Sequence, residues 1–491
     1  MTEETTRVSY QFGAIPTSLW QSLDPLRGGV FMIAMLITIV SVMSHALPLA
    51  IIVSVLGTGL VFIRIANKPL IGWVMPIGSY LTTSTKGRNS IPAASIALDK
   101  KHLSERQTNK PRKRINKARW PMPINHPDVK DVQLRSGMAG AWCRGKGRGM
   151  LMTICWDAEL RQPFVLMDES DQVRFLSSWG QVLGATCSDG STISCVSVMQ
   201  RQVPDVKDDD KLWMEQHISD NIDQAILRDY IAMREQIGSA AAASEIVVGL
   251  TCMVKNPKDL DPLILDAEEF QRQMESAGFS MSILSGADIA ELLFAELQGE
   301  ARGKSKNRLP AEVGPLAWND HWSTLDLDGR THRSYVVTDW PRVLVTPTFI
   351  EPLVGAVAPK AIQTITFHFF PVSARVAQQK AKAAVTAAEV GINRKAEKQI
   401  VITSKDRQIH DVATRRERAL AEGHAEHRLV AVCSVSVEQG DTKTLERAQK
   451  SLKFAAAKAN IVIQPAWGEQ ASALAASLPF GMASTPKGLM G

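Results

Sequence analysis

The stretch that decides the architecture is GGVFMIAMLITIVSVMSHALPLAIIVSVLGTGLVFI, residues 28–63, in which 36 consecutive residues include no Asp, Glu, Lys or Arg. One helix of that length would extend about 54 Å at about 1.5 Å per residue, whereas the hydrocarbon core of a bilayer is about 30 Å thick. Pro48 suits the first turn of a second helix and leaves about 17 residues on each side. The stretch therefore predicts a hairpin of two transmembrane helices, at about 28–45 and 47–63.

Basic residues flank this hairpin only at its outer ends. Arg27 precedes it, Arg64 and Lys68 follow it, and the connecting turn contains no Lys or Arg. Because basic flanks stay in the cytoplasm, we expect both termini to be cytoplasmic in a multi-pass protein of the cell (inner) membrane. Trp73 lies where an interfacial anchor is expected, and a packing role is the alternative for an aromatic at that position.

A strongly basic tract follows at residues 86–119. It contains 11 Lys and Arg and 2 Asp and Glu, a net charge of +9 in a chain whose total is +6. The tract has little apolar periodicity, which predicts an extended linker attracted to the anionic head groups of the bilayer. Nucleic-acid phosphates are the alternative ligand, although no aromatic is interleaved for base stacking. Either ligand would be contacted by Arg112, Lys113, Arg114, Lys117 and Arg119.

The remaining chain is long enough for a sizeable folded body. The 491 residues are 45% hydrophobic, which excludes a short peptide, a collagen or a disordered tail. The 6 Cys residues form no C-x-x-C pair, so a disulfide scaffold or zinc module is not expected. From Trp120 onward strand-like and helix-like segments alternate, which predicts a mixed α/β (α+β) cytoplasmic body.

The expected organisation follows from these patterns. It comprises a cytoplasmic segment at 1–27, the hairpin at 28–64, an interfacial and basic linker at 65–119, a first α/β unit at 120–300, a linker at 301–330, a second α/β unit at 331–481 with an inserted helical hairpin at about 371–424, and a tail at 482–491.

Periodicity and capping signals place the elements of the body. Strands are predicted at 150–155, 164–167, 192–199, 245–254, 281–284, 335–337, 362–370, 428–437 and 461–464. An amphipathic helix is predicted from the apolar spacing of Ile218, Ile222, Ile226, Tyr230, Met233 and Ile237. Capping boxes at 266–269 and 285–288 open two further helices. Later helices are expected at about 371–390, 404–422, 442–458 and up to 478.

Few residues of the body form patterns typical of a catalytic, nucleotide-binding or metal site. The segment 164–169, FVLMDE, has the form of a Walker B strand, but the G-x-x-x-x-G-K-S pattern at 298–305 has Gln298 in the first glycine position and follows a helix. We therefore interpret Asp168 or Ser170 as a helix cap and predict no nucleotide site. No catalytic residue, cofactor or metal site is predicted; His368 is read as a half-buried strand residue, and His424 and His427 as solvated.

Asp326 and Asp328 form the one motif that would favour an enzyme. A D-x-D pair can bind a metal ion and a nucleotide diphosphate in a transferase. Because Gly329 follows, the same residues are also typical of a tight turn.

Short motifs near the end of the body resemble a known family. Trp467-Gly468-Glu469-Gln470, an Ala-rich helix and Leu478-Pro479-Phe480-Gly481 resemble the end of the N-terminal domain of conjugative-transfer ATPases from type IV secretion systems. The element Asp339–Arg342, DWPR, is similar to one in actinobacterial relatives that carry this half as a separate protein. The N-terminal hairpin resembles the PrgI-like inner-membrane subunit of those systems.

The resemblance implies an adaptor in conjugation-like DNA transfer. In the family the motor domain with its P-loop would begin near Gly491, where this sequence ends. The expectation is a non-catalytic membrane scaffold that forms homo-oligomers and binds a separate P-loop ATPase and other channel subunits. The alternatives are a subunit of another actinobacterial secretion machine and a membrane-anchored transferase that uses Asp326 and Asp328.

Overall fold

The computed structural model describes residues 25–44, 47–62, 64–65, 68–70, 73, 76–78, 80–81, 90–91, 128–146, 149–162, 164–188, 190–204, 223, 225–230, 232, 242–255, 259–299, 302, 317–341, 345–346, 348–355, 358 and 360–481. One antiparallel sheet of 13 strands, with helices on both faces, dominates this part of the chain. The expected mixed α/β body is therefore confirmed.

The sheet contains strands β3 to β15. They are β3 (Ser90–Ile91), β4 (Asp128–Leu134), β5 (Gly137–Lys146), β6 (Gly149–Leu160), β7 (Ile193–Pro204), β8 (Ala242–Val254), β9 (Phe279–Ile283), β10 (Trp318–Asp320), β11 (Leu325–Leu327), β12 (Arg330–Asp339), β13 (Ile362–Val372), β14 (Glu426–Glu438) and β15 (Val462–Pro465). Their order is β3-β10-β11-β12-β14-β13-β7-β8-β6-β5-β4, with β9 also paired to β6 and β15 to β12.

Ten helices whose first and last residues are both described accompany the strands. They are α1 (Pro25–Met43), α2 (Leu47–Phe62), α3 (Glu169–Ala185), α4 (Asp261–Ser276), α5 (Gly286–Gln298), α6 (Glu351–Val354), α7 (Ala374–Glu397), α8 (Ser404–Ala421), α9 (Thr442–Lys458) and α10 (Gln470–Ala476). A small ribbon of β1 (Arg64–Ile65) and β2 (Lys68–Pro69) follows α2.

The body consists of two halves with one topology. In each half a strand pair leads into a β-α-β-β-α-β unit, which a helix follows: β4-β5 then β6-α3-β7-β8-α4-β9 and α5, and β10-β11 then β12-α6-β13-β14-α9-β15 and α10. Each unit has its fourth strand beside the first, the first beside the third and the third beside the second. This is the ferredoxin-like strand order.

Equivalent side chains confirm that the two halves correspond. Thr153 on β6 lies opposite Thr251 on β8 and their hydroxyls are 2.8 Å apart. Ser334 on β12 lies opposite Ser434 on β14 in the other half, with hydroxyls 3.3 Å apart. The halves meet where β7 pairs with β13, so their two sheets join into one.

The helices divide between two faces of the joined sheet. Residues directly opposite each other on paired strands point to the same face, so Val198 and Phe367 share one face, and Met199 and Thr366 share the other. On the first face α3, α4, α6 and α9 pack over the two cores. On the second face α5 and α10 cover a core shared by both halves.

Helices α1 and α2 form the predicted N-terminal hairpin. They pack together so closely that a Cβ at Gly57 would collide with the Ala34 side chain. Large apolar side chains are more than half exposed on this hairpin, namely Met32, Ile33, Met35, Leu36, Val40, Met43, Ile51, Ile52, Val55 and Leu56. In the described part of the chain no helix meets the length and hydropathy needed to cross a bilayer.

Most predicted elements are present, with shifted ends. The strands centred on β6, β7, β8, β9, β12, β13, β14 and β15 are confirmed, as is the helical hairpin of α7 and α8. The predicted linker 301–330 contains β10 and β11, whose buried Trp318, Leu325 and Leu327 belong to the core. Of the predicted amphipathic helix at 218–237, residues 225–230 are helical and most of the remainder lies outside the described residues.

Two predicted elements were wrong. The strand at 164–167 is a 3₁₀ turn, Phe164–Leu166, because Phe164 packs on Phe175 of the following helix, at 5.7 Å between ring centroids, and joins no strand. The capping box at 266–269 does not open a helix, since α4 begins earlier, with Pro262 in its first turn. Asp266 instead accepts hydrogen bonds from the backbone N–H and hydroxyl of Thr192.

Candidate functional site

The predicted membrane-flanking residues lie on both sides of the hairpin. Arg27 belongs to the first turn of α1, while Arg64 and Lys68 lie on the paired strands β1 and β2. Trp73 stacks on Trp322 of the body, with ring centroids 6.2 Å apart, so the structure favours the packing role for this residue. The basic residues Arg112, Lys113, Arg114, Lys117 and Arg119 lie outside the described part of the chain.

Trp322 connects the segment after the hairpin to the body. The Tyr80 ring meets the Trp322 ring edge-on, with centroids 5.3 Å apart. The backbone carbonyl of Trp322 accepts a hydrogen bond from the Gly468 N–H at 2.8 Å. Gly468 has a φ of +70°, and a Cβ there would lie 2.5 Å from the Trp322 ring and 3.3 Å from the Pro76 carbonyl. Only glycine fits this position. We call the contact of Trp73, Tyr80, Trp322 and Gly468 the joint.

Gly468 also lies near the start of a segment that crosses both halves of the body, residues 466–481, which we call the strap. At its start the buried Gln470 side chain accepts a hydrogen bond from the Ser334 N–H at 2.8 Å. In its middle the Ala476 carbonyl lies 2.7 Å from His368 Nε2 on β13. The strap therefore binds first to the second half of the sheet, close to the strand pair that joins the two halves.

The end of the strap lies on the first half. Phe480 is 2% exposed and stacks on Trp142 of β5, with centroids 4.5 Å apart and planes 12° apart. Its carbonyl accepts a hydrogen bond from the Thr153 hydroxyl at 3.3 Å. A Cβ at Gly249 or Gly481 would collide with the Pro479 carbonyl or with Thr251. These contacts fix the strap across both halves.

Helix α5 crosses in the opposite direction. It begins over β5, where the Gly140 N–H donates to the Leu284 carbonyl at 2.9 Å, and its Ser285 and Asp288 form the predicted capping box. It ends on the second half, where the Glu296 carboxylate accepts a hydrogen bond from Thr364 at 2.9 Å. The end of α5 therefore lies on the second half, and the end of the strap, after α10, lies on the first half.

A buried charged network lies where α5 crosses the line between the halves. Arg201 is 0% exposed and donates to Glu296 at 2.9 Å and to Glu245 at 3.1 Å. Burial raises the pKa of Glu296, and the Arg201 charge opposes that rise. Taking a charged pair out of water costs several kcal/mol per ion, so removal of one partner leaves an expensive unpaired charge.

The two aspartates of the D-x-D motif have separate structural partners. Asp326 accepts a hydrogen bond from the Thr331 hydroxyl at 2.7 Å and lies 3.0 Å from His321 Nε2. Asp328 accepts the Ala317 N–H at 2.8 Å and has a φ of +48° in the two-residue turn between β11 and β12. Such a turn requires positive φ, which Asp-Gly supplies.

The other residues considered for chemistry also make structural contacts. Asp168 caps α3 by accepting the Asp171 N–H at 2.8 Å, as predicted. His368 is fully buried rather than half-buried, with Nδ1 2.9 Å from the Ser197 hydroxyl. His424 is exposed as predicted, whereas His427 is half-buried and its Nε2 lies 2.9 Å from the Thr186 hydroxyl. Within the described residues no group of three or more His, Cys, Asp and Glu side chains could hold a metal ion.

Sequence reasoning missed one unusual carboxyl group. Burial raises the pKa of Asp320 to about 7, and its buried Oδ1 has no hydrogen-bond partner among the described residues. Asp320 lies on the edge hairpin that carries Trp322. No sequence signal marked it, because it depends on how β10 packs.

No protein-family model and no curated protein sequence matches this chain.

Proposed function

We propose that this chain is a non-catalytic inner-membrane scaffold of a type IV, conjugation-like secretion system, and that a separate cytoplasmic P-loop ATPase binds to it. In this proposal the hairpin is anchored in the bilayer with both termini in the cytoplasm, and the chain forms homo-oligomers. The observation that carries the proposal is the joint, which connects the segment after an exposed apolar hairpin directly to the strap.

The apolar surface of the hairpin supports the membrane part of the proposal. Side chains such as Leu36 and Leu56 are exposed on helices that carry no charge after Arg27. Contiguous exposed apolar surface of this kind is typical of contact with lipid or with another protein. The joint would then hold the body at a defined position relative to the bilayer.

The strap supports the adaptor part. Its motifs are the ones that resemble the segment leading into the motor domain of conjugative-transfer ATPases. In this chain they connect the joint to the line between the two halves and to Trp142. A partner that binds where the strap ends would thus contact a rigid element that reaches back to the hairpin.

The contacts of Asp326 and Asp328 favour the scaffold over the transferase. A metal-binding D-x-D pair needs both carboxylates free to converge on one ion. Here each carboxylate accepts hydrogen bonds from its own neighbours. A subunit of another secretion machine remains the second candidate, because an anchored hairpin and a strapped α/β body serve either system.

Copurification tests the function. The full chain, with a C-terminal tag, is purified from its native host in mild detergent, the bound proteins are identified by mass spectrometry, and ATP hydrolysis is measured. We expect a P-loop ATPase, with hydrolysis lost when the P-loop lysine of that partner is substituted. Recovery of the chain alone, with turnover of an activated sugar that Asp326→Asn abolishes, would refute the scaffold.

Membrane association is tested separately by alkaline extraction. We expect Leu36→Lys with Leu56→Lys to release the protein from membranes, because both side chains are exposed on the hairpin. The matched control, Leu265→Lys with Phe454→Lys, changes two exposed apolar side chains of the body and should stay with the membrane fraction. Equal behaviour of both variants would contradict the anchoring.

A further inference from the structure

Helices α7 and α8 form an arm that is inserted between β13 and β14. The two helices pack mainly on each other, through the buried residues Ala377, Ala381, Ala388, Ile409, Ala413 and Leu420. With 24 residues, α7 is about 36 Å long. The arm carries 11 basic and 5 acidic residues over 374–421, a net charge of +6. It is therefore a long, basic projection from the second half.

The outward face of the first half of α7 combines an apolar line with basic residues. Val376, Ala383 and Val390 follow one another at intervals of seven residues and are all exposed, so they lie along one side of the helix. Arg375 and Lys382 are exposed beside the first half of this line, and the acidic Glu389 is exposed beside its end. The charged contacts of the arm use residues other than Arg375 and Lys382: Lys395 with Asp406, Arg416 with Glu426, and His410 with Glu389 and Asp411. The outward face thus suits an acidic amphipathic helix.

The chain itself contains a segment of that chemistry. Because the two halves share one topology, the connection between β7 and β8 at 205–241 is the counterpart of the arm. Its sequence has 9 acidic and 4 basic residues, a net charge of −5, and the apolar spacing of an amphipathic helix. In its described helical turn, 225–230, Ile226 is 62% and Tyr230 42% exposed.

The two insertions leave the sheet at opposite ends. Gln363 on β13 lies opposite Gln202, near the exit of 205–241, whereas the arm leaves after Val372. At about 3.3 Å per residue these exits are about 30 Å apart. An acidic segment at one end and a basic arm at the other end are complementary between successive copies of the chain.

We infer that copies of this chain associate head to tail, with the acidic amphipathic segment 205–241 of one copy on the outward face of α7 in the next. This inference deepens the homo-oligomeric part of the proposed function and does not depend on the ATPase. Such a heterologous contact builds a closed ring when the rotation between copies closes and a filament when it does not. Opposite charges set the partner and the register, while Val376 and Val390 on α7 and the exposed Ile226 and Tyr230 supply apolar surface to bury.

Charge exchange on the full chain in mild detergent tests the contact, with mass measured by sedimentation and light scattering. The arm variant is Arg375→Glu with Lys382→Glu. The segment variant is Asp220→Lys with Asp229→Lys, which spares Asp223 because its carboxylate accepts the Ala225 N–H. The control, Lys450→Glu with Lys453→Glu, makes the same charge change on exposed residues of α9.

We expect each exchanged variant alone to associate at least 10-fold more weakly than the wild type, whereas the control associates normally. Mixing the arm variant with the segment variant should restore association, since every contact again joins opposite charges. The inference is overturned if the wild type is monomeric, if the variants still associate, or if the mixture stays monomeric while both proteins are folded by circular dichroism. If copies of the chain associate but no ATPase copurifies with them, the result contradicts the proposed function and not this inference.

Discussion

The strap offers a sharp test of how the two halves are held together. Phe480→Ala removes a ring that is 2% exposed and stacked on Trp142 at 4.5 Å. Truncation of a buried Phe costs about 3–5 kcal/mol, and a stacked aromatic partner contributes about 0.5–1.5 kcal/mol beyond burial. Because the end of the strap also covers Thr153 and Thr251, little local collapse can refill the space. We expect a loss of about 4 kcal/mol.

The assay is urea denaturation of the full chain in detergent, followed by near-ultraviolet circular dichroism. Phe454→Ala is the matched control, since Phe454 is 75% exposed on α9 and its truncation should change the unfolding free energy by less than about 0.5 kcal/mol. A double-mutant cycle with Trp142→Leu isolates the ring contact. If Phe480→Ala lowers the unfolding free energy by less than about 1 kcal/mol, or if the double-mutant cycle shows no coupling energy with Trp142, the strap does not hold the two halves together.

Three further predictions concern buried polar groups, each measured by the same denaturation assay. Glu296→Ala removes one of the two carboxylates paired with Arg201 and should cost about 3 kcal/mol or more, while Arg201→Met with Glu296→Leu should cost less; equal losses would contradict the network. Burial lowers the pKa of His368 to about 4, and the unfolded chain binds that proton near pH 6.5, so this residue alone should lower stability by about 3 kcal/mol as pH drops from about 6.5 to 4. His368→Gln should flatten that decline, and an unchanged profile would count against it. Because Asp320 has its pKa raised to about 7, Asp320→Asn should stabilise the protein by about 2 kcal/mol at pH 8 and by little at pH 4; a gain of equal size at both pH values would exclude ionisation as the cause.

Local signals in the sequence were sufficient wherever a structure depends on neighbours along the chain. The capping box of Ser285 and Asp288, the cap at Asp168 and the turn at Asp328 are confirmed. Each depends on hydrogen bonds or φ angles within a few residues. The type of most elements was predictable for the same reason, since periods of 2 and 3.6 residues reflect burial of one face.

Local signals gave the wrong structure where a residue distant in the sequence makes the hydrogen bond or packing contact that a local partner was expected to make. Asp266 begins a convincing capping box, yet the distant Thr192, just before β7, donates hydrogen bonds to its carboxylate. Phe164 begins an apolar run that could form a strand, but packing on Phe175 folds it into a 3₁₀ turn. The burial of His368 depends on β7 and the strap lying on both sides of it.

The sequence by itself determined the apolar hairpin, the charge of the linker and arm, and the alternation of strands and helices, because composition and periodicity act locally. Only the tertiary structure decided that the body is two halves of one topology, because pairing between β7 and β13 joins residues about 170 positions apart. It also decided the roles of the motif residues: Gly468 and Phe480 serve as contacts because Trp322 and Trp142 lie beside them in space.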